Sequence, residues 1–183
     1  MKILGIETTC DETSVGIVED GVKVLSNVVS SSADLHEKFG GIVPEVAARE
    51  QVRLMVPVLD KALSDANLSF EDLDAIAVAY GPGLIGSLLV GVETAKSLAL
   101  GWGKPLLAVN HLVGHVYANW TGEGAKPQLP LIALIVSGGH TDLILAEDLI
   151  QFKLLCSTMD DAAGEVFDKV ARVLGFGYPG GPL

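Results

Sequence analysis

The stretch ILGIETTCDETSVGIVE at residues 3–19 returns in pattern as LIALIVSGGHTDLILAE at residues 131–147. Each copy has a β-rich run, a polar turn, a threonine (Thr13, Thr141) and an apolar run ending in glutamate (Glu19, Glu147). A third strand-like run follows in both, VKVLSNVVS in the first and QFKLLCS in the second, and then a segment of helical period. The short links between the first three runs call for an antiparallel meander. No other feature constrains the fold as tightly: a βββα unit opens this chain twice.

Between the two openings the pattern is α/β. Val52, Met55, Val56, Leu59, Leu63 and Ala66 recur at three and four, so a helix is expected from Pro44 to about Ala66, with Pro57 kinking or splitting it. LDAIAVAY reads as a buried strand, 84–100 as a helix, PLLAVN as a strand and 111–120 as a helix. TGEGAKPQLP is a Gly/Pro/polar connector, which divides the chain into a first domain at 1–128 and the opening of a second at 129–183. A further helix is expected from about Asp161 to Leu174. The expected class is α/β, an actin-like or sugar-kinase-like duplicated βββαβαβα fold with its second half truncated. In that architecture two hairpin turns grip phosphates across a cleft, because Gly, Ser and Thr turns let several N–H groups converge on one anion. The second unit stops at GFGYPGGPL without the αβα continuation of the first. A fragment is therefore expected, with apolar surface bare or covered by another chain.

The formal net charge of -11 argues against a general binder of nucleic acids or membrane surfaces, since phosphate contacts come chiefly from Lys and Arg. A local basic patch or a basic partner stays compatible with it. The uncharged run from Ala75 to Val92 is long enough for a membrane span, but YGPGLIG in its middle would break the helix. Cys10 and Cys156 have no zinc-type spacing and are too few for a disulfide scaffold, which fits a reducing cytosol.

Two motifs compete for a functional role. GPGLIG (Gly81 to Gly86) fits the glycine pattern of a dinucleotide site, yet the next strand ends in Asn110 rather than an acid to hold a ribose. A tight strand-to-helix turn, with Gly86 allowing close packing, is the better reading. AVNHLVGHVYA carries His111 and His115 four apart, one turn apart on one helical face, as in helical zinc and iron sites. A pair of packed core histidines is the plain alternative. Zincin chemistry is excluded, because Leu112 stands where a general base would follow the first histidine. Asp160 and Asp161 suit a helix N-terminus, while Glu165 with Lys169 and Asp168 with Arg172 form ordinary i,i+4 pairs. Asp11 and Glu12, in the first hairpin turn, are the candidate catalytic acids. Their charge would repel a bare phosphate, so a bridging cation or a substrate hydroxyl or amine suits them better.

NHLVGH, VSGGHTDL and DDAAGEVFDKVARVLGFGYPGGP together resemble the tRNA N6-adenosine threonylcarbamoyltransferase family, formerly called O-sialoglycoprotein endopeptidases. GIETTCDETSVGIV, GGIVPEVAARE and GPGLIGSLLVG fit the same family, with ETTCDET nearer its bacterial and mitochondrial branch. The resemblance implies transfer of a threonylcarbamoyl group from threonylcarbamoyl-adenylate to N6 of the adenosine beside the anticodon of tRNA. It makes His111 and His115 ligands of one Fe(2+) or Zn(2+), with the third protein ligand outside this chain. Ile135, Val136, Ser137, Gly138 and Gly139 become the substrate loop, and Asp168 and Gly181 further substrate contacts. Gly139 is expected to need the backbone freedom of glycine. The implied partners are tRNA, a metal-free paralogous subunit and a small ATPase subunit, in the cytoplasm and away from membranes. An actin-like nucleotide-binding or ATPase module without acyl transfer is the competing function. Gln51 and Val113 stand where His and Glu are expected in many relatives, and both read as peripheral.

Overall fold

The computed structural model describes residues 1–122, 128–177 and 179–181, and the chain divides into two compact units, Met1–Gly124 and Ala125–Leu183. The first unit opens with β1 (Lys2–Glu7), β2 (Glu12–Glu19) and β3 (Lys23–Ser31), the expected meander. Alternation makes these strands: Leu4 and Ile6 of β1 and Val15 and Ile17 of β2 point into the core, and their neighbours point away. Asp20 and Gly21 turn β2 back into β3 with φ of 52° and 76°, a geometry an Asp-Gly pair tolerates.

A short helix α1 (Ala33–Glu37) and the long α2 (Pro44–Ala66) follow. A 3-10 turn at Phe70–Asp72 then leads to β4 (Ala75–Gly81), α3 (Ile85–Trp102), β5 (Leu106–Asn110) and α4 (His111–Ala118). Neither α1 nor the 3-10 turn was expected from periodicity, although Ser69 and Asp72 form a capping box. Pro57 does not split α2. It lies on the exposed side, where water can satisfy the carbonyl that its missing N–H leaves free.

The sheet order is β3-β2-β1-β4-β5, with β1, β4 and β5 parallel. Helix α2 packs on β2 and β3, and α3 on β4 and α2. They close a core of Leu4, Ile6, Val15, Ile17, Met55, Leu59, Ile76 and Ala95, in which each large aliphatic side chain contributes about 1.5–3 kcal/mol. Because β1, β4 and β5 run the same way, their C-terminal ends share one edge. Open α/β sheets place their sites at such an edge.

The second unit holds β6 (Leu131–Val136), β7 (Thr141–Ala146), β8 (Phe152–Ser157) and α5 (Ala163–Leu174), with an antiparallel sheet ordered β6-β7-β8. Its first hairpin repeats the register of β1 and β2. Ile3 faces Val18 as Leu131 faces Ala146, and Glu7 faces Ser14 as Ile135 faces Asp142. The sequence likeness between the two openings thus extends to residue-by-residue strand pairing. Ile132, Leu134 and Val136, on one side of β6, are 53–63% exposed.

Candidate metal centre

Asn110 decides where α4 starts. Its side-chain oxygen accepts the Leu112 and Val113 N–H groups at 2.9 and 3.3 Å, which makes it the N-cap and His111 the first helical residue. His115 falls one turn later on the same face. The two Nε2 atoms lie 3.1 Å apart, with the rings edge to face at 4.5 Å. His111 is half-buried and His115 exposed, so they are not core histidines.

Glu7, the last residue of β1, meets His111 across 104 residues of chain: its Oε2 lies 2.9 Å from Nδ1. The other carboxylate oxygen accepts the Thr9 N–H at 2.5 Å. Burial would raise the Glu7 carboxyl, but the bonds from His111 and Thr9 outweigh it and hold it below the usual range. An ionised Glu7 keeps the proton of His111 on Nδ1 and leaves Nε2 as an acceptor facing His115. Carboxylate–imidazole pairs of this kind orient metal-binding histidines. Two nitrogens at 3.1 Å also match neighbouring ligands on one cation with bonds of roughly 2.1 Å. The residues present fit a metal ion, although no group of three or more His, Cys, Asp or Glu able to hold one occurs among the described residues.

Residues 8–12 form the turn that carries the acids. Burial, then Asp11 and Glu7, raise the Glu12 carboxyl above its ordinary range, which makes it a better proton acceptor than an exposed glutamate. Cys10 is pushed up to about 12 by burial and the adjacent Asp11, so it is a neutral thiol and no nucleophile at neutral pH. The turn rests closely on the GPGLIG segment. A Cβ at Gly83 would lie 2.6 Å from the Thr9 carbonyl oxygen, which itself accepts the Leu84 N–H at 2.8 Å. The tight-turn reading of that motif holds, and its closest approach is at Gly83 rather than Gly86, where a Cβ would meet Ala48 at 3.3 Å.

In the second unit, Ile135 is buried and Val136 ends β6, ahead of the turn made by Ser137, Gly138 and Gly139. Ser137 closes the turn on His140: its N–H donates to the His140 carbonyl at 2.8 Å, and its Oγ accepts the His140 N–H at 3.0 Å. The start of α5 docks on this turn. Gly164 donates to the Ser137 carbonyl at 3.1 Å, and Thr141 Oγ1 accepts the Ala163 N–H at 2.8 Å. Asp168, half-buried, accepts the Gly180 N–H at 2.7 Å and so ties α5 to the segment that ends in Gly181. Asp161 does not cap α5; its carboxylate pairs with Lys169 at 2.7 Å. Gly139 has no positive φ and a Cβ there would meet open space. Sterics demand glycine instead at Gly164, where a Cβ would sit 2.7 Å from the Ser137 carbonyl oxygen, and at Gly180, where it would sit 2.5 Å from that of Phe167.

Periodicity missed Glu7 and Gln51, since their partners are distant in sequence. It also passed over Asn110 as a cap, although Asn directly before a helical run is a start signal. Gln51, read as peripheral, is 1% exposed and lies against the turn at residues 8–12.

The family model for tRNA N6-adenosine threonylcarbamoyltransferase matches residues 23–183. The enzyme of that name from Dictyoglomus turgidum is 57% identical over 182 residues, and the one from Thermosipho africanus is 58% identical over 183. Each alignment takes in 100% of this chain and 54% of the relative, so the chain spans about half the length of the curated relatives it matches. Among solved structures, YeaZ from Pseudomonas aeruginosa aligns at 17% identity and a TM-score of 0.53, covering 85% of this chain and 65% of that one. Ethanolamine utilization protein EutJ from Carboxydothermus hydrogenoformans aligns at 14% and 0.57, covering 97% and 58%. Component A of (R)-2-hydroxyglutaryl-CoA dehydratase from Acidaminococcus fermentans aligns at 16% and 0.53, covering 96% and 55%. These likenesses establish the actin-like, sugar-kinase-like α/β fold. On a family match across most of its length, this chain belongs to the tRNA N6-adenosine threonylcarbamoyltransferase family.

Proposed function

We propose that this chain contributes the metal-binding half of a site that transfers a threonylcarbamoyl group from threonylcarbamoyl-adenylate to N6 of the adenosine beside the anticodon of tRNA. The observation that carries this reading is the alignment of Glu7, His111 and His115, with both Nε2 atoms converging at 3.1 Å. His111 and His115 would hold one divalent iron or zinc ion, whose Lewis acidity when bound polarises a carbonyl oxygen. The third protein ligand lies outside this chain. Glu7 holds the Nδ1 proton of His111 and keeps the ring turned.

In the transfer, a bond forms between N6 and the carbamoyl carbon, the carbon–oxygen bond to the adenylate phosphate breaks, and N6 loses a proton. Glu12, with its raised proton affinity, is the acceptor, and Asp11 beside it strengthens that affinity. The turn at Ile135, Val136, Ser137, Gly138 and Gly139 binds the adenylate, with Asp168 and Gly181 as further contacts. Support for this loop comes from its hydrogen-bonded closure and from the tie between Asp168 and Gly180. Residues 1–128 form a first domain and 129–183 the opening of a second, in keeping with the shared hairpin register. The working partners are a metal-free paralogous subunit and a small ATPase subunit, in the cytoplasm; no helix among the described residues is long and apolar enough to cross a membrane.

The test is reconstitution of the longer protein with tRNA, the adenylate and both partners, followed by mass spectrometry of tRNA nucleosides. Threonylcarbamoyladenosine should form, and should vanish with His111→Ala or His115→Ala. Sustained phosphate release from ATP by the protein alone, with no modified nucleoside under any condition, would establish the ATPase reading instead.

A further inference from the structure

Each of the five carbonyl groups from Thr8 to Glu12 accepts a hydrogen bond from elsewhere in the first unit. Leu84 N–H serves Thr9, and Ser32 serves Asp11 through both its N–H at 2.9 Å and its Oγ at 2.7 Å. His36, fully buried, backs Ser32. Its Nδ1 accepts the Val43 N–H at 3.2 Å, which leaves Nε2 to donate to Ser32 Oγ at 3.2 Å. The other three carbonyls converge on a single group. Gln51 Nε2 lies 3.0 Å from the oxygens of Cys10 and Glu12 and 3.4 Å from that of Thr8.

This is an unusual use of a buried amide. Its Oε1 is buried with no hydrogen-bond partner, yet the group cannot be turned round, because an oxygen would then face three carbonyl oxygens. One side chain of α2 thereby sets the path of the turn. The turn in turn sets the centre: Thr9 N–H binds one oxygen of Glu7, the other oxygen binds His111 Nδ1, and Thr9 Oγ1 stands 3.4 Å from the same nitrogen.

We infer that Gln51 is a positioning residue for the histidine pair: by pinning the turn to α2 it holds Glu7 where it fixes the His111 proton on Nδ1. The role of that proton in metal binding rests on the function proposed above; the pinning itself does not. Ser87 Oγ, 3.1 Å from the Cys10 carbonyl, is a second and weaker pin.

The experiment uses this chain without metal. Long-range proton–nitrogen correlation spectra report which ring nitrogen of His111 carries the proton, and zinc titration against a chromophoric chelator reports affinity. Gln51→Asn keeps the amide but shortens its reach by one methylene. His111 is expected to move from the Nδ1–H form towards a mixture of tautomers, with zinc binding weakened about tenfold, in the range seen when outer partners of a ligand are lost. Gln51→His retains a ring N–H donor and is expected to restore the Nδ1–H form. Should Gln51→Asn fail to fold, Ser87→Ala replaces it and should shift the same signals by a smaller amount. Unchanged His111 tautomer in the folded variants, with melting temperatures near that of the parent chain, would overturn the proposal. A parent chain whose tautomer depends on Gln51 but which binds no zinc upholds the pinning and counts against metal binding by the two histidines alone.

Discussion

Glu7 and Glu12 are five residues apart on the same hairpin and carry opposite perturbations, and the cause lies in what each touches. Glu7 has donors from His111 and Thr9, whereas Glu12 is partly desolvated and stands beside two other acids. Glu7→Gln removes the negative charge that keeps the His111 proton on Nδ1, so zinc affinity of the folded chain should fall between 10- and 100-fold. Competition against a chelator of known affinity measures it, and an unchanged constant would show that Glu7 plays no part. Glu12 makes a pH-dependent prediction. Its folded pKa is raised, so between the unfolded value near ~4.3 and the higher folded value the native chain holds more protons, and stability falls as pH rises through that window. Glu12→Gln should therefore melt above the parent at pH 7, with the difference closing as pH drops below the unfolded value. Circular dichroism melts across that range test the sign.

At the scale of elements, two helix starts are seated on two hairpin turns, and glycine makes both contacts possible. A Cβ at Gly83 or Gly164 would stand 2.6 or 2.7 Å from a turn carbonyl oxygen that is itself hydrogen-bonded, to the Leu84 or the Gly164 N–H. Gly83→Ala and Gly164→Ala should each destabilise the chain by about 1–3 kcal/mol, as overpacking does. Gly139 is the contrast, because open space surrounds its Cβ position. Gly139→Val should stay within about 0.5 kcal/mol of the parent while losing adenylate binding. Denaturant melts and calorimetry separate the two effects, and normal adenylate binding by Gly139→Val would remove that loop from the site. Register explains why the duplication was legible: period-two alternation fixes which residues face the core, and a one-residue slip would turn every one of them outward.

For the whole molecule, charge sets the first limit. A chain with net charge -11 repels a polyanion, so it should bind tRNA alone no more tightly than about 10⁻⁵ M at physiological salt, within the non-specific range. Filter binding with and without the partner subunits tests this, and submicromolar binding by the chain alone would reveal a basic surface that composition conceals. The strands, the helices other than α1, the hairpin repeat and the shared face of His111 and His115 were all in the sequence, because each depends on residues within one turn or one strand of one another. The continuity of α2 through Pro57 was not, since it depends on which side of the helix meets water. Nor was the meeting of Glu7 with His111, or of Gln51 with three carbonyls. Those contacts follow from β1, β4 and β5 lying side by side in parallel and from α2 crossing the strands beside them. The alternation of apolar residues says which face of a strand is buried. It carries no record of which strand is its neighbour, so the histidines could be found from sequence while the groups that aim them appeared only once the chain was folded.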